Sequence, residues 1–503
     1  MTRDRHLARA GLTTALLVGL SAALPAQITQ AEYSARRAAL TARVNTDGVY
    51  LVLGAPEPKE NYENFWQAQN FRYLTGFLEP GAALVIVRKN GTDHQLLFVE
   101  PKDPALEVWT GERLGVQGAK LLGLEGRNSA TLRAVLDSVL NAGFPGGATL
   151  HTVGDFSRTG GADVPAQRTP RTVDDQFLDA LKERFREMKV VDATPSVMAL
   201  RAKKSAAELA LIRMAARVSA AAHKEVLGAI APGMNEFEVQ ALAEYTFRRN
   251  GGDRPSYGSI VGSGPNSTTL HYNRDDRYMN DGEVLNMDMA TYYGGYSADI
   301  TRTVPVNGKF SPEQRAIYPI VLEAQMAAER QIKPGVQFRV LNDSALHVLK
   351  TGLAKIGLIE SPDATYEENG RQVPQYRLYY MHGLGHPIGL DVHDVDLYSS
   401  GALVDGSVFT IEPGVYVRAN TVDIIPDTPA NTAFRSKIAP AVKKYANIGV
   451  RIEDDYVVTA SGFERISADA PREMDAIERE MAKPRGPSAR DAGTVEAYRK
   501  IRP

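Results

Sequence analysis

The chain has 503 residues, 43% hydrophobic and 23% charged, with 60 acidic against 58 basic side chains and a formal charge of −2. Such a composition describes a soluble globular protein long enough for two domains, and the balanced charge leaves no basic excess to neutralise nucleic-acid phosphates. Cysteine is absent, which excludes disulfides, thiol nucleophiles, zinc–thiolate sites and iron–sulfur clusters and leaves any metal to histidine and carboxylates.

Residues 1–26 have the layout of a secretory signal peptide: Arg3, Arg5 and Arg9 precede an apolar run over 10–24, and a small-residue exit follows at Ala26. The sequence thus predicts export to the periplasm or the exterior by the general secretory route, with a retained N-terminal membrane anchor as the alternative. No later segment is a candidate span, so no stable membrane span is expected after cleavage.

Short apolar runs at 49–53 and 83–87, bounded by Gly and Pro, alternate with helix-like stretches such as 130–140. This pattern predicts an α/β domain over 27–192. The break Val191-Asp192-Ala193-Thr194-Pro195 ends it, and Ser205 with Glu208 fits a capping box opening a long helix over 206–227. In the second domain, 193–468, Pro232-Gly233-Met234 and Pro334-Gly335-Val336 each open a helix-like stretch, ending near Gly251 and Gly357. Strands with ionisable residues follow each, which predicts a pseudo-twofold β core with helices outside. Residues 469–503 read as a C-terminal tail, a surface helix in its first half and flexible beyond.

The chemistry lies in the second domain. Asp288 interrupts an apolar strand, where an unpaired carboxylate is costly to bury. Gly294-Gly295 reads as a hairpin turn that sets Asp299 near Asp288 on one sheet face, and Glu412 and Glu453 sit in similar strand-like runs. Taken singly, each acid is an ordinary hydrogen-bonded strand carboxylate, and Glu453 pairs with Arg451 on that reading. Together, four strand-borne acids repel unless cations lie among them, and two divalent ions would neutralise all four and use a neutral histidine as well. That histidine should come from the glycine-threaded segment 382–394, which holds His382, His386 and His393, with the others left to handle substrate and developing charge.

The motifs SIVGSG with LHY (residues 259–272), DITRT (299–303), HGLGHPIGLDVHD (382–394), TIEPGVY (410–416) and GVRIEDD (449–455) resemble the aminopeptidase P and prolidase group of pita-bread metallopeptidases. The resemblance implies a creatinase-like α/β N-terminal domain followed by a pita-bread α+β catalytic domain. It also implies a dinuclear site with Asp288, Asp299, His386, Glu412 and Glu453 as ligands, Asp299 and Glu453 bridging the two ions. Manganese is the usual metal of this group, and cobalt or zinc suits the same donors. His271, His382 and His393 match the substrate-side histidines, acting with Glu412 in catalysis, and Tyr257, Val392 and Arg451 match positions lining the substrate site. Asp288-Met289-Ala290 departs from the Asp-Ala-Gly or Asp-Ser-Gly of many relatives, behind the metal rather than at the ligand.

The segment EVWTGERLG (107–115) looks like the aminopeptidase P N-terminal domain, in which a tryptophan at the place of Trp109 reaches a neighbouring subunit's site, so a homo-oligomer, dimer or tetramer, is implied. Between His393 and Glu412 the chain lacks the arginine-bearing insertion that prolidases use, although residues 416–449 approach prolidase length. The implied function is hydrolysis of the bond between an N-terminal residue and a following proline in peptides. Prolidase is the first alternative and a non-catalytic pita-bread binding protein the second. A serine hydrolase is excluded by the missing Gly-x-Ser-x-Gly elbow.

Overall fold

The computed structural model describes residues 28–60, 62–144, 147–154, 172–395 and 401–483. The signal-peptide expectation for residues 1–26 and the far end of the tail lie outside these residues. Among the described residues no helix is long and apolar enough to cross a membrane.

The N-terminal region is built on a six-stranded mixed sheet in the order Glu125–Asn128, Thr92–Val99, Ala83–Lys89, Gly48–Leu53, Thr149–Val153, Lys189–Asp192. Its central strands are buried on both faces, as their unbroken apolar runs require. The helix Leu132–Ala142 packs Leu136 and Leu140 on one face. On the other face an apolar cluster is shared with the catalytic region, joining Leu40, Phe71 and Leu74 to Leu211, Ile212, Ile388 and Val457. The linking helix Thr194–Arg201 leads directly into Ala206–Leu227, whose start carries the Ser205/Glu208 capping box.

Two helix pairs cover the C-terminal region: Ala206–Leu227 with Glu236–Arg249, and Pro312–Glu329 with Phe338–Lys355. Each second helix follows a Pro-Gly turn with glycine in the left-handed region, Gly233 at φ 86° and Gly335 at φ 86°. Each turn also rests on a lone β-bridge, Asn235 to Tyr278 and Gln337 to Ala402.

Each half supplies a two-stranded antiparallel ladder with a break in its middle. In the first, Val284–Asp288 pairs with Thr301–Pro305, and past the break Thr291–Tyr293 meets Tyr296–Ser297 around Gly294-Gly295. Asp288↔Thr301 and Tyr292↔Ser297 belong to one register. In the second, Val408–Ile411 pairs with Asp454–Thr459 and Gly414–Val417 with Ile448–Arg451, again in one register. The acidic residues lie at the two breaks.

The helix expected at the surface after Asp469 forms at Met474–Met481, but it is docked. Ile477 is fully buried in the main core, and Glu478 accepts from Lys309 and from the backbone of Phe310. The packed chain therefore continues through this helix, because its apolar face has a groove to fill.

Candidate active site

Asp288 ends its strand, and Asp299 stands just before the partner strand, diagonal to it on the same sheet face. Tyr257 holds the pair together: its hydroxyl lies between the two carboxylates, 2.6 Å from Asp299 Oδ1 and in contact with Asp288, with one proton to share between them. On the second ladder the shared register puts Glu412 opposite Glu453. Pro413 has no N–H to give the ladder at this break, and Glu412 N instead donates to Leu384 O at 2.8 Å.

His386 comes in on the glycine-threaded loop. A Cβ at Gly385 would lie 2.0 Å from Thr410 O, so only glycine lets the loop run against the strand Val408–Ile411. There Thr410 N donates to His386 O at 2.9 Å. The Nδ1 of His386 faces Pro387 O at 3.1 Å, which assigns a ring proton to Nδ1 and makes Nε2, 3.5 Å from Asp299 Oδ2 and 3.7 Å from Glu412 Oε1, the atom that would give up its proton to bind a cation. One donor atom each from Asp299, His386 and Glu453 lies within 4.8 Å of the others.

The electrostatics of this cluster call for positive charge. Burial and the neighbouring Asp288 push Asp299 up, burial and Asp299 push Glu453 well up, and burial raises Glu412 to about 7. Burial alone would lower His386, but its contact with Asp299 raises it to about 9. Without cations, protons hold these groups together. A set of four carboxylates and one imidazole lone pair is the hard-oxygen and nitrogen donor set that suits first-row divalent ions, so the residues present fit a dinuclear site.

Arg451 is buried, and it points to Asp288 rather than pairing with Glu453 as the metal-free reading had it. Its Nη2 lies 2.7 Å from Asp288 Oδ2. The reason is that Thr301 already serves Glu453, donating to Oε2 at 2.6 Å, while Arg451 Nε donates to Thr301 Oγ1 at 3.2 Å. Arg451 Nη1 also donates to Tyr416 Oη at 3.1 Å, and that hydroxyl sits 2.8 Å from His382 Nε2. Thr301 and Tyr416 were missed from sequence. The period-2 spacing of Asp299 and Thr301 within DITRT was the available signal.

A cavity of about 430 Å³ opens over this cluster, a volume suited to a small ligand. Tyr257, His271, His382, Val392, His393 and Arg451 line it together with all five candidate ligands. Burial, then Arg451, lowers His382 to about 4, so it is neutral near pH 7. His393 is exposed at the mouth with its ring centroid 4.1 Å from that of His386, and burial followed by that neighbour lowers it. Trp109 is not brought to this cavity within the chain. It is 72% exposed on the short helix Pro104–Thr110 and lines a separate hollow with Leu106 and Arg113.

Comparison with known proteins identifies the family. Residues 210–460 match the model of metallopeptidase family M24, and residues 33–137 match the aminopeptidase P N-terminal domain. The Xaa-Pro aminopeptidase of Escherichia coli strain K12 is 34% identical over 474 residues, 91% of this chain and 99% of that protein. Xaa-Pro aminopeptidase 3 of Mus musculus is 31% identical over 90% of this chain and 86% of its own length. Among solved structures, zinc-substituted E. coli aminopeptidase P in complex with product superposes with TM-score 0.75 at 30% identity, covering 91% of this chain and 99% of that one. The low-pH form of the same enzyme gives 0.75 at 31% over the same shares. The chain belongs to metallopeptidase family M24, with an aminopeptidase P N-terminal domain ahead of a pita-bread catalytic domain that binds divalent metal.

Proposed function

We propose that this metallopeptidase removes the N-terminal residue from peptides whose second residue is proline, using Asp288, Asp299, His386, Glu412 and Glu453 to hold two divalent ions, manganese first among them. The observation that carries the reading is the convergence of these five donors beneath a cavity flanked by His271, His382 and His393, in a chain that belongs to this family. When bound, the ions supply Lewis acidity for the scissile carbonyl and an acidified water as nucleophile.

The chain's own residues do the rest. Glu412 lies 3.7 Å from both His386 Nε2 and His382 Nδ1, placed to accept a proton and pass it to the leaving proline nitrogen. Neutral His382, fixed by Tyr416, and His271 flank the proline ring. His393 donates to the scissile carbonyl oxygen as negative charge develops there. Tyr257 and Arg451 orient the acids, and Val392 supplies apolar wall.

Two further readings belong to this proposal. Residues 1–26 direct export, and the chain forms a dimer or tetramer in which Trp109 meets a neighbouring copy; the exposure of Leu106, Val108 and Trp109 on one short helix supports the latter. The boundary between 192 and 193 is supported by the change from the six-stranded sheet to the linking helix, while the second domain extends past 468 to take in the docked helix Met474–Met481.

The deciding experiment offers Xaa-Pro-Yaa tripeptides beside Xaa-Pro dipeptides to protein lacking residues 1–26, with manganese and then with chelator. Chelator-sensitive release of the first residue from the tripeptide, with little dipeptide cleavage, is the expected result. Preference for the dipeptide would move the chain to prolidase chemistry, and silence on both would leave a binding protein.

A further inference from the structure

Outside the metal cluster the molecule buries a second group of charges, at the junction of the linker with the histidine loop. Arg201 ends the helix Thr194–Arg201 and is 4% exposed. Its Nη2 donates to Asp394 Oδ1 at 2.5 Å and to Asp391 Oδ2 at 2.6 Å, and its Nη1 donates to Asn70 Oδ1 at 2.8 Å. Lys204 Nζ, also buried, donates to Asp394 Oδ2 at 2.9 Å. Burial alone would raise Asp394, but the Lys204 and Arg201 charges hold it below the ordinary carboxylate value. Two cations thus meet two carboxylates, and the quartet is neutral.

This group grips the loop that bears the candidate donor. Asp394 follows His393 directly, and its backbone N donates to Pro387 O at 2.9 Å, closing the loop back on the residue after His386. Ser297 N donates to Gly389 O at 2.7 Å from the first ladder. The packing is tight: a Cβ at Gly389 would stand 2.0 Å from Asp394 Oδ2. His393 itself is exposed, with its ring tilted against that of His386 at 4.1 Å between centroids. Its ring is therefore aimed by the backbone on either side of it, and that backbone is fixed by Asp391 and Asp394.

We propose that Arg201 and Lys204 are positioning residues for His393: through Asp391 and Asp394 they clamp the histidine loop, and through Asn70 they tie its position to the N-terminal domain. The clamp rests on the reading of His393 given above. It explains why two cations, Arg201 and Lys204, are buried on a linker that contributes nothing to the cavity floor, since a loop free to shift by about 1 Å would lose on the order of a hundredfold in rate.

The test is a double-mutant cycle on the tripeptide substrate with Arg201→Lys and His393→Ala. Lysine keeps the charge but cannot reach Asp391, Asp394 and Asn70 together. The expected result for Arg201→Lys is a fall in kcat of roughly tenfold to a hundredfold with KM little changed. Metal stoichiometry and the thermal midpoint of the holoenzyme should stay near wild type. In the His393→Ala background the same substitution should have little further effect, because both act through one group. An unchanged kcat in Arg201→Lys, a full additive loss in the double mutant, or metal loss that parallels the activity loss would each overturn the clamp. If Arg201→Lys does not fold, Asn70→Ala leaves the buried charges paired; it should lower kcat with His393 present and not without it, and the same effect in both backgrounds would overturn the clamp. A silent His393→Ala would sink the donor reading and the clamp with it, whereas an impaired His393→Ala beside an intact Arg201→Lys sinks the clamp alone.

Discussion

Replacing Thr301 by valine removes one hydroxyl with almost no change of shape, so it isolates what that hydroxyl does. Thr301 is fully buried opposite Asp288, and its Oγ1 donates to Glu453 Oε2 at 2.6 Å while accepting from Arg451 Nε at 3.2 Å. Arg451 in turn reaches Asp288 Oδ2 at 2.7 Å, so one hydroxyl orients acids on both ladders. A hydrogen bond to a charged group contributes about 1.5–3 kcal/mol. If that is lost mainly from the ionised, metal-holding state, metal affinity weakens by roughly 10- to 150-fold, in line with the ~10- to 100-fold usual for partners that orient ligands. Arg451 Nε also loses its acceptor, which costs the fold about 1–3 kcal/mol. The assay is manganese competition with a chromophoric chelator, read beside the thermal midpoint of metal-free protein. Thr301→Ser should keep affinity within about threefold, because the donor remains. An affinity in Thr301→Val within about twofold of wild type would refute the reasoning, since a bond of the size assumed cannot vanish without trace.

Three more outcomes follow from the same geometry. Glu453→Ala should strip metal and abolish peptide hydrolysis, measured by elemental analysis and tripeptide turnover; a fully active variant ends the assignment of the site. Asp454 is completely buried among Arg302, Arg465 and Arg472, so Asp454→Asn should cost about 3–5 kcal/mol and lower the thermal midpoint by roughly 6–20 °C in calorimetry. His223 is fully buried with Nε2 at 3.0 Å from Met289 O, and burial lowers it to about 4. Its unfolded form takes up a proton near pH 6.5 while the folded form does not, so stability is full above about pH 6.5 and falls by ~1.4 kcal/mol per unit toward pH 4. Acid melting curves should show this slope in wild type, and an equal slope in His223→Gln would count against it.

What could be read from the sequence depended on how far apart the partners lie. The Ser205/Glu208 cap and the Gly294-Gly295 hairpin are local, and the turn between adjacent strands fixes the Asp288–Asp299 relation through the two-residue period. Glu412 and Glu453 stand about forty residues apart, and only long-range register makes them face each other; the resemblance named both as ligands, and the local pattern does not show that they are opposed. Arg451 turned to Asp288 because Thr301, on the other ladder, had taken Glu453. The Arg201–Asp394 contact spans 193 positions and carries no periodic signal at all. The terminal helix was misjudged because its charged composition hid one apolar stripe around Ile477.

The two broken ladders explain how so many acids can be gathered without losing the sheet. A continuous ladder would bury every backbone group in cross-strand bonds and leave the face flat, whereas a break at Asp288–Ala290 or at Glu412-Pro413 frees backbone groups that other segments then take. Ala290 O accepts from Ser256 N at 2.9 Å, Thr410 N goes to His386 O, and Glu412 N to Leu384 O. At the centre Glu453 N donates to Thr301 O at 3.1 Å, and Arg451 N to Thr303 Oγ1 at 3.0 Å, so the second ladder is stitched to the first where the acids meet. Every backbone donor named here is paired, and the repulsion between carboxylates is borne by side chains on rigid strands. The cluster therefore cannot relax by spreading apart. It must bind protons or cations, and this obligation is what a pseudo-twofold core with one break in each half supplies to a metallopeptidase.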